Sequence, residues 1–273
     1  MKKTFLLFLI CCGILGTSFA QRGWEVGGWV GAANYFGDLN TDYDLSHVGL
    51  AGGAIARYNF NERICFKLSA NYGQLAGDDA NSTNPFERSR NLNFQSVVAD
   101  GAAQLEFNFL PYFHGSKEQF FTPYLFGGLG FFYFNPKTEY EGELVELRSL
   151  GTEGQFRGEE YFSTAGSLVY GGGVKVDLNY EWSLNFMISG RKLFTDFIDD
   201  VSGTYPDVDD LESLRGQIAV DLSNRSIPIP GVPDTLGDAG QQRGDSSNKD
   251  TYVFLGVGLV YYFGDLRCPD YGK

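Results

Sequence analysis

The feature that most constrains this chain is an alternation of apolar and polar residues, with a period of two, in eight separate segments. A period of two places successive side chains on opposite faces of a β-strand. Each segment is long enough to cross a bilayer as a tilted strand, which takes about 9–11 residues. The alternation therefore predicts an all-β protein, either a soluble sandwich or a membrane barrel. The segments span residues 23–36, 48–60, 63–76, 93–108, 121–134, 166–178, 182–195 and 251–263.

Two features favour the barrel. The polar face carries charges in the middle of strands, such as Lys67 opposite Leu68, whereas the inner face of a sandwich is apolar. The connections also alternate between short (61–62, 109–120, 179–181) and long (37–47, 77–92, 135–165, 196–250). Outer-membrane barrels alternate short periplasmic turns with longer outer loops in this way. We therefore predict an eight-stranded antiparallel transmembrane β-barrel, an up-and-down meander with long outer loops.

The N-terminus has the features of an export signal. Lys2 and Lys3 precede an apolar run over residues 5–15, and Ala20 ends a small-residue cleavage site. A lipoprotein signal at Cys12 is the alternative, but Cys11 stands where a small residue is expected. We predict a cleaved signal peptide over 1–20, a barrel over 21–263 and a short periplasmic tail over 264–273. With eight strands, both barrel termini are expected in the periplasm of a bacterial outer membrane.

The charge is strongly acidic and unevenly distributed. The chain has a formal net charge of −13, and the segments 37–48, 77–92, 135–165 and 196–250 together hold 25 acidic and nine basic residues. The acidity therefore belongs to the predicted outer loops, and the remainder of the chain is nearly neutral. Such a balance excludes nucleic acid as the main partner, because phosphate binding needs a basic surface. We expect outer-membrane lipid to surround the barrel wall.

One long loop contains a helical pattern. Val208, Leu211, Leu214 and Leu222 recur at helical spacing after Asp207, whose side chain is suited to cap a helix. We predict one short amphipathic helix near 207–223, packed over the mouth of the barrel.

The inward face of the predicted barrel carries nearly balanced charge. Eight strands enclose a bore that side chains fill, and uncompensated charge there is costly. We therefore expect a structural network of ion pairs that plugs the bore and forms no channel. The predicted members are Glu25, Arg57, Arg63, Lys67, Asp100, Glu106, Lys175, Asp177 and Arg191.

The sequence offers little for catalysis or metal binding. His47 lies in the first outer loop with Asp44 and Ser46 nearby, while His114 lies in a turn on the opposite side of the membrane. We expect no enzyme activity and no cofactor. A calcium site is the weaker alternative, since the carboxylates of one outer loop are close in sequence but match no EF-hand spacing. Those carboxylates are Asp199, Asp200, Asp207, Asp209 and Asp210.

An ordered set of short motifs resembles the PorG-type outer-membrane barrels of the type IX secretion system, across nearly the whole mature chain. The motifs are EVG at 25–27, NYFGDL at 34–39, RSRNLNF at 88–94, LEFNF at 105–109, TPY at 122–124, GRKLFTDFIDDVS at 190–202, KDTYVF at 249–254, YFG at 262–264 and Cys268.

The resemblance implies a non-enzymatic barrel that anchors or positions the periplasmic ring formed by PorK and PorN. A ring partner must contact the periplasmic face, where the turn 109–120 and the tail offer candidate contacts. Those contacts are Phe113, His114, Arg267, Cys268 and Tyr271. A bridge between Cys268 and Cys65 is another use of the tail cysteine. The alternative function is a general small barrel that acts as a surface adhesion or binding module through its acidic loops.

Overall fold

The computed structural model describes residues 23–264. The predicted signal peptide over 1–20, and the tail residues Arg267, Cys268 and Tyr271, lie outside the described residues. The described part is mostly β-strand, with a few short helices in the long loops. The strands are β1 (Gly23–Phe36), β2 (Gly49–Asn59), β3 (Ile64–Asp78), β4 (Asn93–Asn108), β5 (Phe121–Tyr140), β6 (Glu143–Glu146), β7 (Thr164–Asp177), β8 (Trp182–Leu193) and β9 (Thr251–Phe263).

Eight of these strands close into an antiparallel barrel. Neighbouring strands pair in chain order, and β1 pairs with β9 from Trp24–Phe263 to Phe36–Thr251. β5 pairs with both β4 and β7, so the ring has no gap. The prediction of an eight-stranded up-and-down barrel is confirmed. We call the end with residues 60–63, 109–120 and 178–181 the short-turn end, and the opposite end the long-loop end.

The third long loop is more regular than expected. The sequence pattern ends the fifth strand at residue 134, but β5 continues to Tyr140 and turns back into β6. Glu141 and Gly142 make the tight turn with positive φ angles, and Lys137 pairs with Glu146 at 2.9 Å between Nζ and Oε1. The hairpin extends because β5 gains a new pairing partner where it leaves the barrel wall.

The loops contain three short α-helices where one was predicted. These are α1 (Pro85–Arg90), α2 (Val208–Arg215) and α3 (Gln217–Ser223). The side chain of Asp207 caps α2, as its position predicted, by accepting from the backbone N–H groups of Asp209 and Asp210. The single helix predicted over 207–223 is wrong because Gly216 adopts φ 87°, ψ 176° and divides it into α2 and α3. The sequence pattern does not indicate α1, because its six residues are too few for a clear period.

The barrel wall is apolar outside and mixed inside. Outward residues such as Val30, Leu129 and Leu255 are more than half exposed, which is the reverse of a soluble core. At the short-turn end, aromatic rings meet in pairs on the outer surface, including Trp24 with Tyr58 at 5.1 Å between centroids. Within residues 23–264, no helix has both the length and the apolar character needed to cross a membrane.

The inner face also contains an aromatic core at the long-loop end, which the sequence pattern did not indicate. Trp29 lies inside the barrel and packs against Phe254, with ring centroids 5.4 Å apart. The wall makes room for this indole at Gly256, where an added Cβ would lie 2.4 Å from Trp29 Cε3.

We predict that Gly256→Val destabilises the barrel by about 1–3 kcal/mol, because the new side chain must displace the Trp29 ring. The measurement is the free energy of unfolding in urea for protein folded into phospholipid vesicles. Gly127→Val is the matched control, since a Cβ there has its nearest neighbour at 4.0 Å. Equal effects of the two variants would contradict the packing argument.

Candidate functional site: the charged barrel interior and its caps

The centre of the charged interior is Glu106 on β4, which three cations from three other strands surround. Arg57 Nε lies 2.7 Å from Oε2, Lys67 Nζ lies 2.8 Å from Oε1, and Lys175 Nζ lies 2.8 Å from Oε2. All four side chains are at most 2% exposed. Inward alternation on β2, β3, β4 and β7 places these residues in the bore, and the barrel register sets them at a common depth.

A second acid, Glu25 on β1, balances the excess positive charge. Its carboxylate pairs with Arg57 Nη1 and accepts a hydrogen bond from the Asn59 amide. It also contacts His114 Nε2 at 3.1 Å. Arg57 therefore bridges Glu25 and Glu106, which joins the acids of β1 and β4 into one buried network.

A separate ion pair lies deeper toward the long-loop end. Arg191 Nε contacts Asp100 Oδ2 at 2.7 Å, and the Tyr252 hydroxyl donates to the same oxygen at 3.0 Å. The Asn71 amide donates to the other oxygen of Asp100 and accepts from Trp29 Nε1 at 2.9 Å. Each polar atom in this layer thus meets a partner, as a buried charge requires.

The structure brings seven of the nine predicted interior residues into these layers, and Asp177 lies beside His114 at the short-turn end of the bore. Arg63 is the exception. Arg63 lies in the turn before β3, where the alternation of a strand no longer applies. Its guanidinium is directed to the rim, where Nη1 donates to the carbonyl of Phe109 at 2.7 Å. The assignment of Arg63 to the interior network is therefore wrong.

His114 is also in a different place from the predicted one. The turn 109–120 folds back into the short-turn end, so His114 is buried and unavailable as a partner contact. Its ring lies between Glu25 and Asp177, with Nδ1 3.2 Å from Asp177 Oδ1, and it stacks on Tyr262 at 4.2 Å. Phe113 beside it is half-buried. No period or motif signals this fold-back, because the turn has neither.

The same turn supplies a second residue that sequence reasoning missed. Tyr112 is buried and donates a hydrogen bond to Asp177 Oδ1, while the Gly115 N–H donates to Oδ2 at 3.2 Å. Together with His114, these groups close the short-turn end of the bore. Cys65 lies in the same region, 3.7 Å from Asn108 Nδ2, and forms no disulfide among the described residues.

Two buried arginines hold the long loops together as a cap at the other end. Arg90 of α1 forms a bidentate pair with Asp79 at 2.7 and 2.8 Å and donates to the carbonyls of Asp38 and Arg243 at 2.6 Å. Arg243 of the fourth long loop reaches Glu153 of the third at 3.1 Å. All four long loops are thus joined through charged hydrogen bonds.

The carboxylates of the alternative calcium site contact different partners. Asp199 accepts from the Tyr35 hydroxyl at 2.5 Å, and Asp200 accepts from Tyr161 at 2.7 Å. Burial raises the pKa of Asp200 to about 6, despite the nearby Arg243 guanidinium. Asp207 is occupied in capping α2. Across residues 23–264, no group of three or more His, Cys, Asp or Glu side chains is arranged to hold a metal ion.

His47 lies beside a serine and an aspartate, but the three side chains are not arranged as in a catalytic triad. The Ser46 hydroxyl contacts Asp44 and lies 3.0 Å from His47 Nδ1, so the serine stands between the acid and the histidine. In a triad the acid orients the histidine, and the histidine contacts the nucleophile.

We predict that Glu106→Gln destabilises the barrel by about 3–5 kcal/mol, because three buried cations lose their shared counter-charge. The measurement is urea unfolding of protein in vesicles. Glu118→Gln, in the exposed part of the turn 109–120, is the matched control. A Glu106→Gln barrel as stable as the control would show that the network does not stabilise the fold.

We also predict a pH dependence that arises from His114. Burial lowers its pKa, but the hydrogen bonds that the ring donates to Asp177 and Glu25, with the negative charge of these carboxylates, outweigh burial and raise the pKa to about 9. A raised pKa in the folded state contributes stability that is fully present below pH ~6.5 and is lost as pH rises through about 9. His114→Gln should remove this part of the pH dependence, by at most about 3 kcal/mol.

The check is the unfolding free energy of each variant at pH 6 and at pH 9.5. His47→Gln serves as the control because His47 lies in an exposed loop. An unchanged difference between the two pH values in His114→Gln would contradict the assignment.

Comparisons with solved structures find small outer-membrane barrels. Neisserial surface protein A is 11% identical, with 88% of this chain and 97% of that chain covered and a TM-score of 0.44. OprG from Pseudomonas aeruginosa is 12% identical, with 90% and 98% covered and a TM-score of 0.43. Ail from Yersinia pestis is 10% identical, with 89% and 98% covered and a TM-score of 0.40. Identities this low carry no activity from those proteins to this chain.

No curated protein matches the sequence. A family model described as a domain of unknown function, DUF6089, matches residues 2–221, which is well over half of the chain. This closed, charge-filled barrel belongs to the DUF6089 family.

Proposed function

We propose that the protein resides in a bacterial outer membrane, with its long-loop end outside and its short-turn end in the periplasm. The exposed apolar wall supports this location, because only a lipid environment makes such a surface favourable on a closed barrel. The alternation of long loops and short turns supports the orientation. The predicted signal peptide supports export.

The barrel is proposed to act through its surfaces, as neither an enzyme nor a channel. The observation that carries this proposal is the filled interior. Glu106 and its three cations occupy the bore, His114 closes one end, and Arg90 ties the loops over the other. A bore occupied by paired charges has no continuous water path, and its charged groups are engaged with one another.

The surface we favour is the periplasmic one. We propose that the protein is a component of the type IX secretion apparatus and anchors the periplasmic ring, a role supported by the PorG-like motifs. With His114 buried, the exposed part of the turn 109–120 consists of residues such as Lys117 and Glu118. We propose these as contacts, together with Phe113 and the tail residues Arg267, Cys268 and Tyr271.

We predict that the charge reversal Lys117→Glu/Glu118→Lys, combined with deletion of 265–273, abolishes co-purification of PorK- and PorN-like proteins and reduces secretion at least ~10-fold. The measurement is complementation of a deletion strain, with a secretion assay and affinity capture. The reversal of Lys137 and Glu146 is the matched control at the long-loop end, because it preserves their ion pair. Retained capture and secretion in the periplasmic variant would contradict the ring role.

A surface adhesion or binding module is the second candidate, and the cap favours it. Arg243 is 1% exposed and joins the third and fourth long loops, so these loops form one ordered acidic surface. The test is a variant, in the same strain, in which a short turn replaces residues 141–160. If this variant loses surface binding but still secretes normally, the result favours this candidate over the ring role.

A further inference from the structure

A cleft lies beside the barrel wall, at the long-loop end, and has no part in the interior network. Its volume is about 640 Å³. The first long loop, α1 of the second and the end of the fourth form its sides, and the outer face of β7, β8 and β9 forms its floor. The cleft therefore opens sideways, toward the membrane, and not into the bore.

The strand register places the floor of the cleft in two rows on the outward face. Tyr170 pairs with Gly190, which pairs with Val253, and these form the lower row. Lys192 pairs with Thr251, two residues farther along each strand, and these form the upper row. Below them the wall continues into the exposed apolar band.

The height of these rows matches the edge of a bilayer. Val253 lies ten residues along β9 from Phe263, the aromatic residue at the short-turn end. At ~3.4 Å per residue and a tilt of ~45°, this separation is ~24 Å along the membrane normal. The outward apolar band of such barrels is about 25 Å tall. The lower row thus lies where acyl chains end, and the upper row lies at the level of lipid headgroups.

The cleft offers cations at that level. Lys192 Nζ donates to the carbonyl of Lys249 and lies 3.5 Å from Asn248 Oδ1. Lys249 Nζ donates to the Ser246 carbonyl at 2.9 Å and is 3.9 Å from Asp196 Oδ2. Among the described residues Lys192 has no ion pair within 4.0 Å, and the pair between Lys249 and Asp196 is long, at 3.9 Å. Both lysines line the cleft and can therefore interact with an anion there.

Above the lysines the lining changes to hydrogen-bonding groups and aromatic rings. The lining here includes Asp38, Glu87, Asp245 and Asn40. Tyr43 is 75% exposed at the rim. Carboxylates accept hydrogen bonds from hydroxyl groups, amides both donate and accept them, and an exposed ring offers a flat apolar face to a sugar.

We propose that this cleft binds the phosphorylated sugar headgroup of an outer-leaflet glycolipid. The phosphate contacts Lys192 and Lys249, the sugar hydroxyls contact the carboxylates above, and an acyl chain lies along Tyr170 and Val253. The apolar floor, the two lysines and the hydrogen-bonding residues line one cleft, a combination that neither a free phosphate nor a soluble sugar would require. The proposal rests on the outer-membrane location proposed above and is independent of the secretion role.

The test is native mass spectrometry of the full-length mature protein in detergent, titrated with diphosphorylated lipid A and with the same lipid after removal of its phosphates. We expect the wild-type protein to bind the phosphorylated form at least ~10-fold more tightly, and Lys192→Gln/Lys249→Gln to lose that preference. Lys137→Gln, a lysine of the β5–β6 hairpin outside the cleft, should bind like wild type.

Heat-dependent gel mobility verifies that each variant forms a barrel, and Lys249→Gln alone provides a milder variant because that side chain is 41% exposed. Equal affinity for the two lipids, or unchanged binding by the double variant, would overturn the proposal. Displacement of the lipid by millimolar inorganic phosphate would assign the site to free phosphate instead. Binding is measured without the ring proteins, so its outcome does not depend on the secretion role. Membrane fractionation tests the outer-membrane location separately.

Discussion

A sheet in lipid cannot leave an edge unpaired, and this requirement organises the whole molecule. The pairing of β1 with β9 satisfies it and joins the first strand to the last. Closure turns one face of all eight barrel strands into a narrow bore that side chains must fill. Charges in that bore have no bulk water around them, so each must meet an opposite charge or a hydrogen-bonding group.

The bore meets this demand in two ways along its length. At the short-turn end, Glu106 and Glu25 gather four cationic groups, including His114, into one network. At the long-loop end, rings such as Trp29 and Phe254 fill the space as an apolar core, and the buried arginines of the loops close it. Paired charges therefore occupy one end of the bore and packed rings occupy the other.

A strand pattern encodes the direction of a side chain but not its partners. The inward direction of Lys67, Glu106 and Lys175 was predictable, because alternation depends only on the local backbone. Arg63 was misassigned because a turn breaks alternation, and the burial of His114 was missed because the turn folds back into the bore. The inward aromatic core was hidden as well, since Phe254 and its neighbours on β9 are apolar on both faces of the strand.

The sequence by itself determined the number of barrel strands, the face on which each side chain lies and the end that carries the long acidic loops. These properties depend on local periodicity and on the spacing of turns. Only the tertiary structure decided which charges pair, as when Arg191 of β8 meets Asp100 of β4 across the bore. The physical reason is that the depth of a side chain depends on strand register and tilt, which become defined only when the sheet closes.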